Sequence, residues 1–425
     1  MFSGTRPDNQ DTHGPEPNRS PSARFVYPPD SALSIGFDVS DVRTRESVPN
    51  ALLIPLGGLP IMRKRLVVAL LFGLSLLVVA SPSSAVEERV AGESAGPVVV
   101  GHRGAPGYRP EHTLASYELA FRQGVNWVDV DLVPTKDGQL VARHENEIGG
   151  TTDVAEHPEF ASRKTTKTID GTKLTGWFTE DFTLAELKTL KAIERIPDIR
   201  PHNTIYNGRW EIATYQEVLD LTKRLSKELH RQLGTYPEVK HSTYFATIGN
   251  PTEPKLVGVL DRNGLNRPGA PVIIQSFEVS NLKALSKQVQ VPLLQLTSAA
   301  GAPADLVAKG DPRTYADLMT PAGLKEISTY ADYLGPEKNQ IIPRDAAGNL
   351  ATPSALVADA HAAGLKVAPY TFRNENSFLP VNLRSSSDPS EWGDVFAEES
   401  AFLAAGVDGF FADQPDTALL AVTGS

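Results

Sequence analysis

Residues 98–145 read VVVGHRGAPGYRPEHTLASYELAFRQGVNWVDVDLVPTKDGQLVARHE. Val98-Val99-Val100 is a short β-branched run that stops at Gly101, so His102 and Arg103 stand where a buried strand leaves the core. After the Pro110-Glu111 turn, Thr113 caps a helix whose apolar positions Leu114, Tyr117, Ala120 and Phe121 recur at helical spacing, and Gly124 closes it. The next strand, Asn126 to Val133, alternates: Val128, Val130 and Leu132 take one face, while Trp127, Asp129, Asp131 and Val133 take the other.

The order strand, helix, strand argues for a parallel sheet covered by helices. Two carboxylates on one strand face lie about 7 Å apart and repel unless something positive sits between them. The pair therefore either faces water or binds a cation or basic group. A strand flanked in sequence by helices is buried on both faces as a rule, which argues against simple exposure.

The same alternation runs on from Val98. Further strands are predicted at Thr235 to Lys240, Val272 to Phe277, Val291 to Thr297, Tyr333 to Ile342, Lys366 to Phe372 and Gly409 to Ala412. Helices are predicted at Tyr215 to Leu233, Leu282 to Lys287, Gly323 to Tyr330, Pro353 to Ala363 and Trp392 to Ala405. Eight strands alternating with helices make an α/β chain of the (β/α)8 TIM-barrel class, spanning residues 98–425. The segment from Asn146 to Ala213 is too long for an ordinary barrel loop and is expected to be an insertion between the second and third barrel strands, with one short helix around Leu184 to Leu190.

The composition bounds the function. The chain has 425 residues, 40% of them hydrophobic and 22% charged, which suits one large globular core. A net charge of −10 argues against a nucleic-acid binder, and an anionic ligand would need locally placed cations. With no cysteine there is no disulfide, zinc thiolate, cysteine nucleophile or lipidated cysteine.

Upstream of the barrel, residues 1–50 are rich in Pro, Asp, Arg and Ser without periodicity and read as disordered or not naturally present. Met62-Arg63-Lys64-Arg65, the apolar run Leu66 to Ala80 and Ser81-Pro82-Ser83-Ser84-Ala85 have the order of a signal peptide. The apolar run is shorter than the roughly 20 residues of a membrane-spanning helix. The expectation is that residues 1–61 are an over-extended or disordered N-terminus, 62–85 a cleaved signal and 86–97 a linker. The mature protein then begins near Val86, is secreted or periplasmic, and keeps no stable membrane anchor.

Five elements in residues 102–145 carry a family resemblance: His102-Arg103-Gly104, Pro110-Glu111-His112-Thr113, the pair Asp129 and Asp131, Thr135-Lys136-Asp137-Gly138, and His144-Glu145. In this order they resemble the glycerophosphodiester phosphodiesterase family, in its periplasmic or secreted bacterial form, and the resemblance extends over nearly all of Val98 to Ala418. Two positions depart from the pattern. Asp129 stands where the family has Glu, and Glu145 stands where it has Asp.

The resemblance implies metal-dependent hydrolysis of glycerophosphodiesters to glycerol 3-phosphate and an alcohol. His102 and His144 are the candidate general acid and base, since imidazole titrates near neutral pH. Asp129, Asp131 and, from the family-like Pro237-Glu238-Val239-Lys240, Glu238 are the implied ligands of Ca²⁺ or Mg²⁺, an ion class that takes oxygen donors. Arg103 and Lys240 would meet the phosphate. Gln275, Phe372 and Phe411 match pocket-lining strand ends, and Glu111 would hold Arg103 or a histidine from behind. His112 would orient its loop, while His13, His157, His202, His230, His241 and His361 read as surface or loop residues. Related readings are a phospholipase-D-like reaction or cleavage of cell-wall glycerophosphate polymers. A reading from another class is a surface binding protein in which the Asp129 and Glu145 changes have removed catalysis.

Overall fold

The β-branched run at Val98 opens a barrel in the computed structural model, which describes residues 96–424. The stretch 1–61, the signal segment 62–85 and all but the end of the 86–97 linker lie outside the described residues. The strands are β1 (Val98–Gly101), β2 (Trp127–Pro134), β3 (Leu140–Ala142), β4 (Thr165–Ile169), β5 (Thr172–Gly176), β6 (Gly234–Val239), β7 (Ile274–Ser276), β8 (Leu293–Thr297), β9 (Tyr333–Pro336), β10 (Lys366–Val367) and β11 (Gly409–Ala412).

Eight of these form one parallel sheet in the order β10-β9-β8-β7-β6-β2-β1-β11. Its two ends meet, because the Asp408 amide donates to the Val367 carbonyl at 2.8 Å and the Phe372 amide to the Phe411 carbonyl at 2.9 Å. The result is a (β/α)8 TIM barrel with the expected insertion between its second and third strands. Within the insertion β4 and β5 pair as a separate antiparallel hairpin, and β3 turns back antiparallel on β2.

The alternation of β2 sorts its side chains as the sequence predicts. Val128, Val130 and Leu132 join the large apolar layer between barrel and helices, which also holds Tyr117, Ala120 and Phe121 from the helix Leu114–Gln123. Trp127 faces the barrel interior with Tyr236 and Phe411, and Val133 packs under the insertion with Phe182 and Phe245. Thr113 caps its helix by accepting from the Ser116 amide at 3.1 Å.

Several elements are shorter than predicted, each for a local reason. The strand predicted over Tyr333 to Ile342 ends at Pro336, because Glu337 and Gln340 form a capping box that starts a helical turn at Lys338–Ile341. The strand predicted over Lys366 to Phe372 is a regular ladder only at Lys366–Val367, since Pro369 has no amide to donate. The helix predicted to reach Leu233 stops at Glu228.

Candidate active site

The candidate side chains gather where the parallel strands end, the usual location for chemistry in this architecture. His102 follows β1 and is buried. Its Nδ1 lies 2.5 Å from Oδ1 of Asp413, which follows β11, and its Nε2 is 3.5 Å from the Thr371 hydroxyl. Burial and the neighbouring Arg103 pull the imidazole down to about 4, against the attraction of Asp413. The other oxygen of Asp413 takes Arg200 Nη2 at 2.6 Å and Arg373 Nε at 2.7 Å. Those cations hold the carboxyl well below its usual range despite burial.

Arg103 has a left-handed backbone, φ 58°, followed by Gly104 at φ 95°, where a Cβ would strike Ser116. This turn points the Arg103 amide at Asp129 Oδ2 (3.2 Å) and its Nη1 at Glu111 Oε2 (2.9 Å). Glu111 also accepts from Arg195 of the insertion at 2.7 Å. His112 is fully buried and does more than shape its loop. Its Nε2 lies 2.8 Å from Asp131 Oδ2 and its Nδ1 2.7 Å from the Tyr117 hydroxyl. Arg143, also buried, donates to the carbonyls of Glu111 and His112 and so ties that turn to the end of β3.

The parallel register sets Asp131 beside Glu238 and Glu238 beside Gln275. Asp129 accepts from Gln275 Nε2 at 2.5 Å, and Glu238 lies 3.1 Å from Lys240 Nζ. Burial together with the charges of Asp131 and Glu238 raises the Asp129 carboxyl well above its ordinary range. Burial also pushes Glu238 up to about 8 against the pull of Lys240. Asp131 goes the other way: His112 and Lys240 overcome burial and hold it low.

The three carboxylates expected to share a cation are thus neighbours but are not gathered into a ligand cage; among the described residues no three His, Asp or Glu side chains form one. The reason is local, since both oxygens of Asp129 are taken by Gln275 and the Arg103 amide. Yet Asp131 Oδ1 is buried without a hydrogen-bond partner. A buried anionic oxygen left bare, beside two carboxyls pushed toward protonation by burial and by neighbouring negative charge, is the donor set a hard divalent cation would satisfy.

His144 stands two residues after β3, its Nδ1 2.9 Å from Glu145 Oε1, and burial with the charges of Arg103 and Lys240 lowers it to about 3. Together with His102, Arg103, Asp129, Asp131, Glu238 and Gln275 it lines a cavity of about 360 Å³, which Phe277, Tyr370, Arg373 and Phe411 also border. Lys240 lines the adjoining cavity and lies 5.8 Å from the Phe277 ring centre.

Phe372 is the correction. Its backbone closes the barrel, and its ring turns outward onto Phe402 and Phe410 with centroids 4.9 and 4.8 Å away, so it borders the core and not the cavity. Phe277 and Tyr370 supply the aromatic wall in its place. Sequence reasoning also missed Asp413, Arg373 and Arg200. The available signal was positional: Asp413 directly follows the closing strand Gly409–Ala412, as His102 directly follows β1. His241, expected to be a surface residue, is largely buried between Glu145 and Asp170.

The model of the glycerophosphoryl diester phosphodiesterase family matches residues 102–417. The chain belongs to this family. It is 35% identical over 329 residues to the glycerophosphodiester phosphodiesterase GDPD6 of Arabidopsis thaliana, a match covering 75% of this chain and 83% of that one. It is 28% identical over 343 residues to the Haemophilus influenzae glycerophosphodiester phosphodiesterase, covering 75% and 88%. Among solved structures, an Oleispira antarctica phosphodiesterase in complex with the product sn-glycerol-3-phosphate superposes with TM-score 0.50 at 20% identity, over 78% of this chain and 98% of that one. That likeness bears on the fold of this glycerophosphodiester phosphodiesterase, whose barrel closes the same architecture around its own set of side chains.

Proposed function

We propose that the protein hydrolyses glycerophosphodiesters to glycerol 3-phosphate and an alcohol in the cavity between His102 and His144. As a family member the chain is a phosphoric diester hydrolase. The observation that carries the finer reading is the meeting, in one cavity, of two histidines held at Nδ1 by carboxylates, one buried arginine and a carboxylate oxygen without a partner.

A carboxylate only accepts, so Asp413 and Glu145 keep the proton of each ring on Nδ1 and leave Nε2 to the substrate. One Nε2 takes a proton from the attacking oxygen, and the other delivers one to the departing alkoxide. Arg103 lies at the phosphate, its orientation set by Glu111, and its buried Nε is a donor with no hydrogen-bond acceptor of its own. Lys240 approaches from the adjoining cavity, and Gln275 and Phe411 border the reacting group. Asp129, Asp131 and Glu238 would hold Ca²⁺ or Mg²⁺, which offsets charge on the phosphate when bound. Opening the Asp129 bond to Gln275 would free one oxygen of that carboxyl to join.

The protein is further proposed to be of the exported bacterial type, its residues 62–85 removed as a signal and its barrel acting outside the cytoplasm. Support comes from the basic, apolar and small-residue order of that segment. N-terminal sequencing of exported protein is expected to begin near Val86; a stable product retaining residues 1–61 would overturn the assignment. For the reaction, purified protein is given glycerophosphocholine with and without chelator. Release of glycerol 3-phosphate that stops with chelator and returns with a divalent cation is expected, and release of choline phosphate instead would refute the proposed bond cleavage.

A further inference from the structure

Running out from the phosphate cavity, four side chains from three separate segments form one line. Oε1 of Glu145 lies 2.9 Å from Nδ1 of His144, and Oε2 of the same carboxylate lies 3.1 Å from Nε2 of His241. Nδ1 of His241 lies 2.6 Å from Oδ2 of Asp170. We propose that Asp170 and His241 are positioning residues: through Glu145 they fix the His144 ring so that Nε2 is presented to the substrate. This rests on His144 being a proton-transfer group, as proposed above.

Both proposed positioning residues are set by unusual backbone. Asp170 and Gly171 are the two-residue turn between β4 and β5, closed by the Ile169–Thr172 pair, and both have positive φ, 47° and 84°. That is the tight hairpin turn whose twist matches the strands, so the Asp170 carboxyl is carried on a stiff tip. His241 follows β6 with φ 48°, just before the helix Ser242–Thr247. The charged groups facing it are Asp170 from the hairpin, Glu145 from beyond β3 and the preceding residue Lys240; against burial, the carboxylates raise it to about 9. As an imidazolium it donates from both nitrogens, which leaves Glu145 Oε2 occupied and Oε1 aimed at His144. Facing His144 are Arg103, Lys240, Asp131 and Glu145.

Glu145 is one of the two departures from the family pattern, and the extra methylene has a use here. It lets one carboxylate serve two histidines, where an aspartate would reach less far.

A purely structural ion network is the competing account. The His241 side chain is only 13% exposed and both carboxylates favour its imidazolium, so loss of the network should lower the melting temperature on either account, and stability alone does not separate the two. Orientation of a reacting ring is a different matter, since small misplacement costs roughly 10- to 100-fold in turnover.

The test uses the full chain with His241→Gln, Asp170→Asn, Glu145→Asp and the His241→Gln/Glu145→Asp double variant. Glycerophosphocholine turnover is measured beside ¹⁵N NMR of the His144 ring, with the His144→Gln variant used to assign its signals. Expected are a roughly 10- to 100-fold loss of kcat in His241→Gln and a smaller one in Asp170→Asn, KM within about twofold, and mixing of the His144 tautomers. The double variant should be no worse than the worse single one, because both break the same link. Unchanged kcat together with an unchanged His144 tautomer in His241→Gln overturns the proposal, as does a loss that is additive across the pair. Should wild-type protein cleave no phosphodiester, the reaction reading fails, and the NMR arm alone still decides whether His241 sets the His144 tautomer.

Discussion

Asp413 accepts from His102 Nδ1 at 2.5 Å with one oxygen and from Arg200 and Arg373 with the other, so one buried carboxylate both orients a ring and neutralises two guanidiniums. Arg200 comes from the insertion and also pairs with Glu375 at 2.7 Å, which in turn accepts from Gln414. One of the two cations behind the His102–Asp413 pair therefore comes from the insertion.

Asp413→Asn should consequently lower kcat by about 10²–10⁴, the range of a disabled general acid or base. The amide can offer His102 a donor as readily as an acceptor and no longer dictates which nitrogen is protonated. Stability should fall by about 3–5 kcal/mol, because the largely buried Arg373 loses its carboxylate partner and Arg200 is left with Glu375 alone. Denaturant melts and steady-state turnover on the same sample measure both. A variant with near-normal kcat would mean that Asp413 does not set the His102 tautomer.

The low value of His102 predicts a pH signature in stability. In the unfolded chain the imidazole takes up its proton near 6.5, whereas in the fold it does so only at about 4. Between those limits the unfolded state binds the extra proton, so the stability present above pH 6.5 is lost progressively as pH falls to about 4. His102→Gln removes that component. Its melting temperature should fall less than the wild type's from pH 6.5 to 4, and parallel curves would count against a buried neutral His102.

Asp129 and Glu238 carry the opposite sign. Both folded values are raised, that of Glu238 to about 8, so without a cation the stabilising proton of Glu238 is lost as pH rises through about 8, and that of Asp129 is lost above its ordinary range in the same direction. Ca²⁺ or Mg²⁺ should therefore raise the melting temperature more at pH 8.5 than at pH 6, with about 2.7 kcal/mol gained at 100 times Kd. Asp129→Asn should weaken cation binding in calorimetry, while Asp129→Glu should retain it. Equal stabilisation at both pH values, or unaltered affinity in Asp129→Asn, would remove this group as the metal site.

The two phenylalanines that close the barrel should separate cleanly. Phe372 packs on Phe402 and Phe410 outside the barrel, and its truncation to Ala should cost about 3–5 kcal/mol with KM unchanged. Phe411 borders the cavity from inside, so Phe411→Ala should raise KM as well as lower stability. A KM change confined to Phe372→Ala would reverse the assignment.

Residues that act through their own strand were legible in the sequence. Period-two alternation puts Asp129 and Asp131 together, and a β-branched run ending in glycine marks His102 and Arg103 at a strand end. Parallel-strand counting gives the barrel. What could not be read is partnership across the closure. Asp413 is 311 positions from His102 and meets it only because β11 pairs with β1. Phe372 matches a pocket-lining strand end of the family, but it follows only two ladder residues and a proline, and its ring lies on the core side. His241 looks like a lone histidine after a strand, and nothing local announces that a hairpin tip 71 positions earlier reaches it.

Three of the insertion's contacts fall on residues that hold the candidate reacting groups: Arg195 on Glu111, Arg200 on Asp413 and Asp170 on His241. This bears on how the scaffold can be re-engineered. An attempt to make a minimal barrel by trimming residues 146–213 would strip countercations from two buried carboxylates and leave a third contact empty. Grafting the same segment onto another barrel would bring two arginines and an aspartate with nothing to meet. Length can be added or removed between those three anchors, along the exposed stretches, but the segment and the strands it touches must be exchanged as a single cassette.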